Sequence, residues 1–260
     1  MDICLISGAS SVIGMEYVDT VERVCGGIDE LWAISGQHGH LAQMSKRYEQ
    51  VRVVPIPLDL GEDMSYSFIS EMLKTKEPTV KMLINCCGAN EYGAFAETDE
   101  KRISSMVDLN IKCVLALERI CIPYMAAGSF IINYGSVSSC APLPMQAVYS
   151  PCKTFLRCHS KALRSELAGK SINVMTVIGE SLENEYDPSV ADEGASLSPN
   201  GTDLRRLTEG SLTAAAKGKA VYTFRGMHRL MMTAGKLLPE SFMMKTLSRA
   251  AGKAGPVEQN

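Results

Sequence analysis

From the second residue onward, short apolar runs alternate with longer stretches in which apolar side chains recur every three or four positions. The runs Ile3–Ser7, Leu31–Ser35, Arg52–Ile56, Met82–Asn85, Ser129–Asn133 and Ile172–Ile178 are mostly bounded by Gly, Pro, Asp or Asn, and most are nearly continuous rather than alternating. A strand covered on one face alternates, whereas a strand covered on both reads as an unbroken apolar run. These runs therefore predict parallel strands between layers of helices. Helical periodicity marks Ile13–Val24, Leu41–Tyr48, Met64–Lys74, Lys101–Tyr124 and Ala147–Leu167. Strand, helix and strand repeated this often imply right-handed crossovers and an α/β fold built on a doubly wound parallel sheet.

The last third reads differently. Glu180 to Gly218 is polar, contains Pro188 and Pro199 and has no strong period. Its position after the sixth strand suggests a substrate-covering lid, with a disordered insert as the alternative. Order returns with a strand at Ala220–Phe224 and helices at Gly226–Lys236 and Phe242–Ala251, interrupted at Pro239. With no repeat and no linker, residues 1–260 are expected to form one domain.

Composition narrows the classes. Hydrophobic residues at 46% and charged residues at 21% exclude wholesale disorder. A net charge of −3 is too balanced for an electrostatic nucleic-acid binder. Nine cysteines without a C-x-x-C spacing fit free thiols in a reducing compartment, and so a cytoplasmic protein. No apolar run reaches membrane-span length, and a strand-like segment from Asp2 leaves no room for a signal peptide. His38, His40, His159 and His228 are too scattered to predict a metal site. The methionines Met227, Met231, Met232, Met243 and Met244 read as core or as an apolar substrate wall. With Arg225, Arg229 and Lys236 they leave a membrane-surface helix as an alternative.

Three places carry candidate chemistry. The first strand runs into Gly8-Ala9-Ser10-Ser11-Val12-Ile13-Gly14 and then into a helix. Free N–H groups and the helix dipole at such a junction favour a phosphate, and glycines allow its close approach. Tyr149 and Lys153 lie four apart and share a helix face, with Pro151 acceptable only in the first turn. A phenol titrates near 10, and a neighbouring ammonium favours the phenolate, so this pair is a plausible general acid–base for a carbonyl–alcohol interconversion. Ser136 follows a strand that ends at Asn133, where a hydroxyl can donate to an oxygen gaining negative charge. Taken singly, each has a plain structural reading: a turn, surface packing, another turn.

Together these segments resemble the short-chain dehydrogenase/reductase family over about the first 180 residues. Ser7 to Gly14 resembles its glycine-rich cofactor motif, with Val12 in place of the middle glycine. Asp59-Leu60 resembles the acidic dipeptide that faces the adenine, and Asn85-Cys86-Cys87-Gly88 resembles the motif supporting the sheet beside the cofactor. Asn110, Ser136, Tyr149 and Lys153 match the four catalytic positions, with Ser136 and Tyr149 thirteen apart. The resemblance implies a single Rossmann-type domain. It also implies that Tyr149 exchanges a proton with substrate and Ser136 orients the reacting oxygen. Lys153 would hold the nicotinamide ribose and lower the tyrosine pKa, and Asn110 would hold a relay water. Gly8, Ser10, Ser11, Ile13, Gly14, Ser35, Asp59, Leu60, Asn85, Gly88, Ile178 and Gly179, with Tyr149 and Lys153, would contact a nicotinamide dinucleotide.

Two departures bear on that implication. Ile178-Gly179 stands where the family carries Pro-Gly, and Glu183 stands where a threonine would meet the carboxamide. No acidic residue closes the second strand, which disfavours NAD(H); with no arginine there either, Ser10, Ser35, Gln37 and His38 are the candidate neighbours of a 2′-phosphate. NADP(H) is therefore the expected cofactor, with NAD(H) possible, and no metal. The expected substrate is a hydrophobic ketone or secondary alcohol, steroid-like or acyl. The apolar long helices suggest a homodimer or homotetramer. The alternative is a dinucleotide-binding sensor or scaffold of the same fold that no longer turns over, motivated by Val12, Ile178 and Glu183.

Overall fold

A computed structural model of the chain describes residues 1–36, 41, 48, 50–180 and 203–237. Seven parallel strands form one sheet in the order β3-β2-β1-β4-β5-β6-β7. They are β1 (Asp2–Ser7), β2 (Glu30–Ser35), β3 (Arg52–Pro57), β4 (Thr79–Asn85), β5 (Phe130–Ser136), β6 (Asn173–Gly179) and β7 (Val221–Thr223). The helices are α1 (Val12–Val24), α2 (Asp63–Lys76), α3 (Glu100–Val107), α4 (Cys113–Cys121), α5 (Tyr149–Leu167), α6 (Leu204–Ala216) and α7 (Gly226–Leu237).

The unbroken apolar runs are explained by burial on two faces. Cys4 and Ile6 of β1 join one core with Ile13 and Tyr17 of α1, Ile84, Ile132, Val177 and Leu207. Ile3 and Leu5 point the other way, into a second core with Trp32, Leu83, Leu117, Ile131 and Val174. The strand order reverses at β1, which pairs with β2 on one side and β4 on the other. At such a reversal, open α/β sheets bind ligands outside the carboxyl ends of the strands.

Three expectations are corrected. β5 does not stop at Asn133 but runs through Ser136, which is paired with Gly179 of β6. The stretch expected as one helix from Lys101 to Tyr124 is broken by a π turn at Asp108–Lys112. The proposed lid at 180–218 contains α6, whose buried face is partly polar: Thr208 and Ser211 bond Thr20 and Tyr17 of α1 at 2.7 Å each. Hydroxyls buried in pairs hide a helical period that apolar residues would have displayed. The expected helices at Leu41–Tyr48 (apart from these two end residues) and Phe242–Ala251, and residues 181–202 of the lid, lie outside the described residues.

At the amino end of β2 the buried Glu30 accepts hydrogen bonds from Trp32, Lys76 and Arg52 at 2.9, 2.8 and 3.1 Å. Burial alone would raise its pKa. The hydrogen bonds from Lys76 and Trp32 outweigh it and hold the carboxyl below its ordinary value.

Candidate functional site

Most of the chemistry-bearing residues singled out from the sequence collect at the carboxyl ends of β1, β2, β4, β5 and β6. The turn after β1 explains its two glycines sterically. Gly8 has φ +67°, and a Cβ there would lie 2.7 Å from the Cys87 backbone nitrogen; at Gly14 it would lie 2.0 Å from the Gly8 carbonyl oxygen. Ser11 caps α1, accepting from the Gly14 N–H at 3.1 Å and donating to the Gly8 carbonyl at 2.8 Å. Its hydroxyl is therefore engaged within the turn. The first N–H groups of α1, at Val12 and Ile13, have no carbonyl one turn back, which makes this end an anion site. The Val12 side chain, half-buried, packs against the core, and Ile13 is fully buried. A valine at this position therefore has a structural use.

Ser10 and Ser35, read separately from the sequence as neighbours of a 2′-phosphate, are brought together by a hydrogen bond between their hydroxyls. Gln37, His38 and Glu183 lie outside the described residues. At the end of β3, Asp59 is exposed and its Oδ1 accepts the Gly61 N–H at 2.8 Å, while the Leu60 side chain is buried. Gly88 lies in the loop after β4, half-buried. Asn85 is committed to the sheet: it donates to Asn133 at 2.8 Å, and Asn133 donates to Glu118 at 2.8 Å and Ser160 at 2.9 Å. Glu118 in turn bonds His159 at 2.5 Å, and that bond raises the histidine pKa. Asn85 can thus support the candidate site by holding the sheet.

The second half of the site is built by β5 and α5. Tyr149 is the first residue of α5 and Pro151 its third, so the proline sits where its missing N–H costs nothing. Tyr149 and Lys153 are both buried, and the Lys153 Nζ lies 5.4 Å from the Tyr149 ring centroid. The same Nζ donates to the Tyr134 carbonyl at 3.2 Å. Ser136, the last residue of β5, is buried; its hydroxyl accepts the Ser138 N–H at 3.2 Å and meets the Ser138 hydroxyl at 3.3 Å. Ser138 donates onward to Gln146 at 3.0 Å.

Asn110 lies in the π turn, where its Nδ2 donates to the Ala89 carbonyl at 2.7 Å and the Met106 carbonyl at 2.9 Å. Its Oδ1, like that of Asn90, is buried with no hydrogen-bond partner. π turns concentrate at functional sites, and an unpartnered buried oxygen invites a polar guest. At β6, Ile178 is buried, and a Cβ on Gly179 would lie 2.2 Å from the Tyr134 hydroxyl. Gly179 is therefore required by Tyr134 packing, whatever else its backbone does.

Sequence reasoning missed Ser138, Gln146 and Asn90. The first two lie between Ser136 and Tyr149, a segment that had to fold over the site to bring those residues together. Asn90 was signalled only by following the Asn85–Gly88 motif. The turn Leu143–Gln146 is also notable: Gln146 N–H bonds the Leu143 carbonyl at 3.2 Å, and the exposed Met145 has φ +64°. A left-handed non-glycine residue carries strain that tends to persist near functional sites.

Taken together, the turn with its two glycines, the first N–H groups of α1, which lack intrahelical acceptors, the Ser10–Ser35 pair and the exposed Asp59 carboxylate fit a nicotinamide dinucleotide. Among the described residues no group of three or more His, Cys, Asp and Glu side chains is placed to hold a metal, and no helix is long and apolar enough to cross a membrane.

Comparison with known proteins bears on the family and the fold. The family model described as short chain dehydrogenase matches residues 2–190. A very-long-chain 3-oxoacyl-CoA reductase of Eremothecium gossypii is 27% identical over 188 residues, covering 67% of this chain and 52% of that protein. The chain thus spans about half the length of that relative. A short-chain dehydrogenase of Sphingobium yanoikuyae in complex with NADPH superposes with a TM-score of 0.71 at 21% identity, covering 100% of this chain and 97% of that one. One from Burkholderia phymatum in complex with NAD gives 0.75 at 18% identity, covering 93% and 94%.

Proposed function

Since this chain belongs to the short-chain dehydrogenase family, we propose that it is an NAD(P)(H)-dependent oxidoreductase, preferring NADP(H), that interconverts a ketone and a secondary alcohol. The observation that carries this reading is the buried pair at the start of α5, with the Lys153 Nζ 5.4 Å from the Tyr149 ring centroid and Ser136 ending the strand β5. A phenol, an ammonium and a hydroxyl buried in one place are costly to keep without a use.

The bound nicotinamide supplies or accepts the hydride. The glycine turn and the amino end of α1 hold the pyrophosphate. Ser10 and Ser35 offer hydroxyls to a 2′-phosphate, and Asp59 offers a carboxylate to the adenine amino group. Lys153 holds the nicotinamide ribose. Tyr149 gives its phenolic proton to the carbonyl oxygen in reduction and takes it back in oxidation. Ser136 donates to the same oxygen as charge grows on it, which requires its hydroxyl to turn away from Ser138. Asn110, through the π turn, holds a water on the path by which the tyrosine is reprotonated. The substrate is a hydrophobic ketone; a 3-oxoacyl group, as in the name of the Eremothecium gossypii relative, belongs to that class. A homodimer or homotetramer is part of this reading, drawn from the apolar residues of the Lys101–Tyr124 and Ala147–Leu167 stretches.

The preference for NADP(H) rests on the Ser10–Ser35 pair and on a second strand that ends without a carboxylate. The test is a titration with NADPH and NADH, followed by loss of nicotinamide absorbance against a panel of ketones. Binding of neither dinucleotide defeats the whole reading. Tighter binding of NADH defeats the preference alone.

A further inference from the structure

Ser136 ends β5 with its side chain buried, and three hydrogen bonds decide which way its hydroxyl points. The Ser138 N–H donates to Ser136 Oγ at 3.2 Å, which fixes the oxygen and leaves the hydrogen free to turn. Ser136 gives that hydrogen to Ser138 Oγ at 3.3 Å. Ser138 gives its own to Gln146 Oε1 at 3.0 Å. A hydroxyl carries one hydrogen and an amide carbonyl oxygen only accepts, so the order is forced from the far end. While Gln146 holds the Ser138 hydrogen, Ser138 can only accept from Ser136.

The backbone holds Gln146 in place independently of this bond. Its N–H bonds the Leu143 carbonyl at 3.2 Å, and its own carbonyl accepts the Ser150 N–H at 3.1 Å. The neighbouring Met145 carbonyl accepts the Gly93 N–H at 2.8 Å. Ser150 Oγ ties the first turn of α5 back to the Ser138 and Ala141 carbonyls at 2.7 and 3.1 Å. The relay therefore links Ser136 to the start of the helix that carries Tyr149.

In the oxidoreductase reading Ser136 gives its hydrogen to the substrate oxygen. That leaves Ser136 Oγ and Ser138 Oγ 3.3 Å apart with no hydrogen between them. Two facing lone pairs repel, and the repulsion is relieved if Ser138 turns its hydrogen from Gln146 to Ser136. Both turns are rotations about C–O bonds, and no covalent bond changes. Afterwards Ser138 donates to Ser136 and Ser136 to the substrate, and hydroxyls donating in series polarise one another.

We propose that Ser138 and Gln146 are positioning residues that set the direction of the Ser136 hydroxyl. Gln146 holds the pair in a resting order, and Ser138 reverses toward Ser136 as the substrate oxygen gains charge. The inference rests on the oxidoreductase reading above. The resting order gives each buried hydroxyl a partner in the free protein, where a missing partner is destabilising. Gln146 therefore stabilises the free protein and slows the reaction.

The test uses the full chain, a ketone that the native protein turns over and the dinucleotide it binds more tightly. Single-turnover rate, dinucleotide dissociation constant and thermal unfolding are measured for the native protein and three variants. Ser138→Ala removes the hydroxyl that donates to Ser136, so the rate should fall about 2- to 12-fold, the worth of one neutral hydrogen bond. Gln146→Leu removes the competing acceptor, so the rate should rise by a similar factor while Tm falls. Gln146→Glu supplies a charged acceptor that holds the Ser138 hydrogen about twice as strongly, so the rate should fall. Dinucleotide affinity should stay native in all three. A merely structural role for Gln146 predicts that leucine and glutamate both slow the reaction. A Gln146→Leu rate at or below native overturns the proposal, and Gln146→Ala makes the same comparison if the leucine variant does not fold. A Ser138→Ala rate at or above native also overturns it. Absence of turnover by the native protein overturns the oxidoreductase reading and this proposal with it, whereas native turnover with rates indifferent to residue 146 overturns the proposal alone.

Discussion

Tyr149→Phe separates a catalytic tyrosine from a packed one because the two roles predict effects of different size. The ring is fully buried at the start of α5, and phenylalanine fills the same volume, so no cavity opens. The structural cost is the loss of one buried hydroxyl and its hydrogen bonding, about 1 kcal/mol, which in a domain of this size lowers Tm by about 2–4 °C. If the phenol transfers the proton, turnover falls by about 10²–10⁴-fold, equivalent to about 2.7–5.4 kcal/mol on the barrier. The assay is a single-turnover rate on a verified ketone, alongside the cofactor dissociation constant and thermal unfolding of the same preparation. NADPH affinity is expected to stay within a few-fold of native, since the proposed reading assigns most of the dinucleotide contacts to other groups. Lys153→Met supplies the contrast: on the proposed reading its ammonium serves the ribose as well as the tyrosine, so affinity and rate should fall together. Near-native turnover by Tyr149→Phe would refute the assignment of the site.

Four further outcomes are expected. Gly36→Asp, where a Cβ would sit at an ordinary 3.7 Å from the Asp59 Cα, should fold normally and move preference toward NADH in paired titrations by repelling the 2′-phosphate. Gly14→Ala puts a Cβ 2.0 Å from the Gly8 carbonyl oxygen; it should destabilise by about 1–3 kcal/mol in urea and weaken dinucleotide binding, whereas native affinity would contradict the turn's role. The Glu30 carboxyl is held below its ordinary 4.5, so its contribution to stability is full above that value and is lost as pH falls through the lower folded value. Urea midpoints of native and Glu30→Gln should therefore differ at pH 7 and converge in acid. Met145→Gly should relieve the left-handed backbone at φ +64° and stabilise by about 0.5–1 kcal/mol after the entropy cost of glycine, read as a higher Tm; a lower Tm would mean the side chain holds the turn.

The order of strands and helices could be read from the chain because burial on both faces writes itself locally, as unbroken apolar runs between helical repeats. The glycine turn was readable for the same kind of reason. Gly8 and Gly14 answer to contacts within a few residues of each other, with Cys87 as the outside partner. Tyr149 and Lys153 followed from helical spacing, and Pro151 marked the start of that helix. What depended on the tertiary fold are contacts between residues far apart in the chain. Ser10 meets Ser35 only because β1 and β2 lie side by side. α6 was hidden because its buried face uses Thr208 and Ser211, whose hydroxyls are satisfied by Thr20 and Tyr17 from almost two hundred residues away. The π turn at Asn110 is likewise invisible to periodicity. One extra residue in a helical turn leaves no compositional mark, and the Nδ2 bond to Ala89 that accompanies it comes from another segment. The unpartnered Oδ1 of Asn110 is the extreme case, since a buried polar atom without a partner is defined by what fails to reach it. Short-range sterics and periodic burial are encoded in neighbouring residues, whereas the pairing of buried polar groups is decided only when distant segments close on one another.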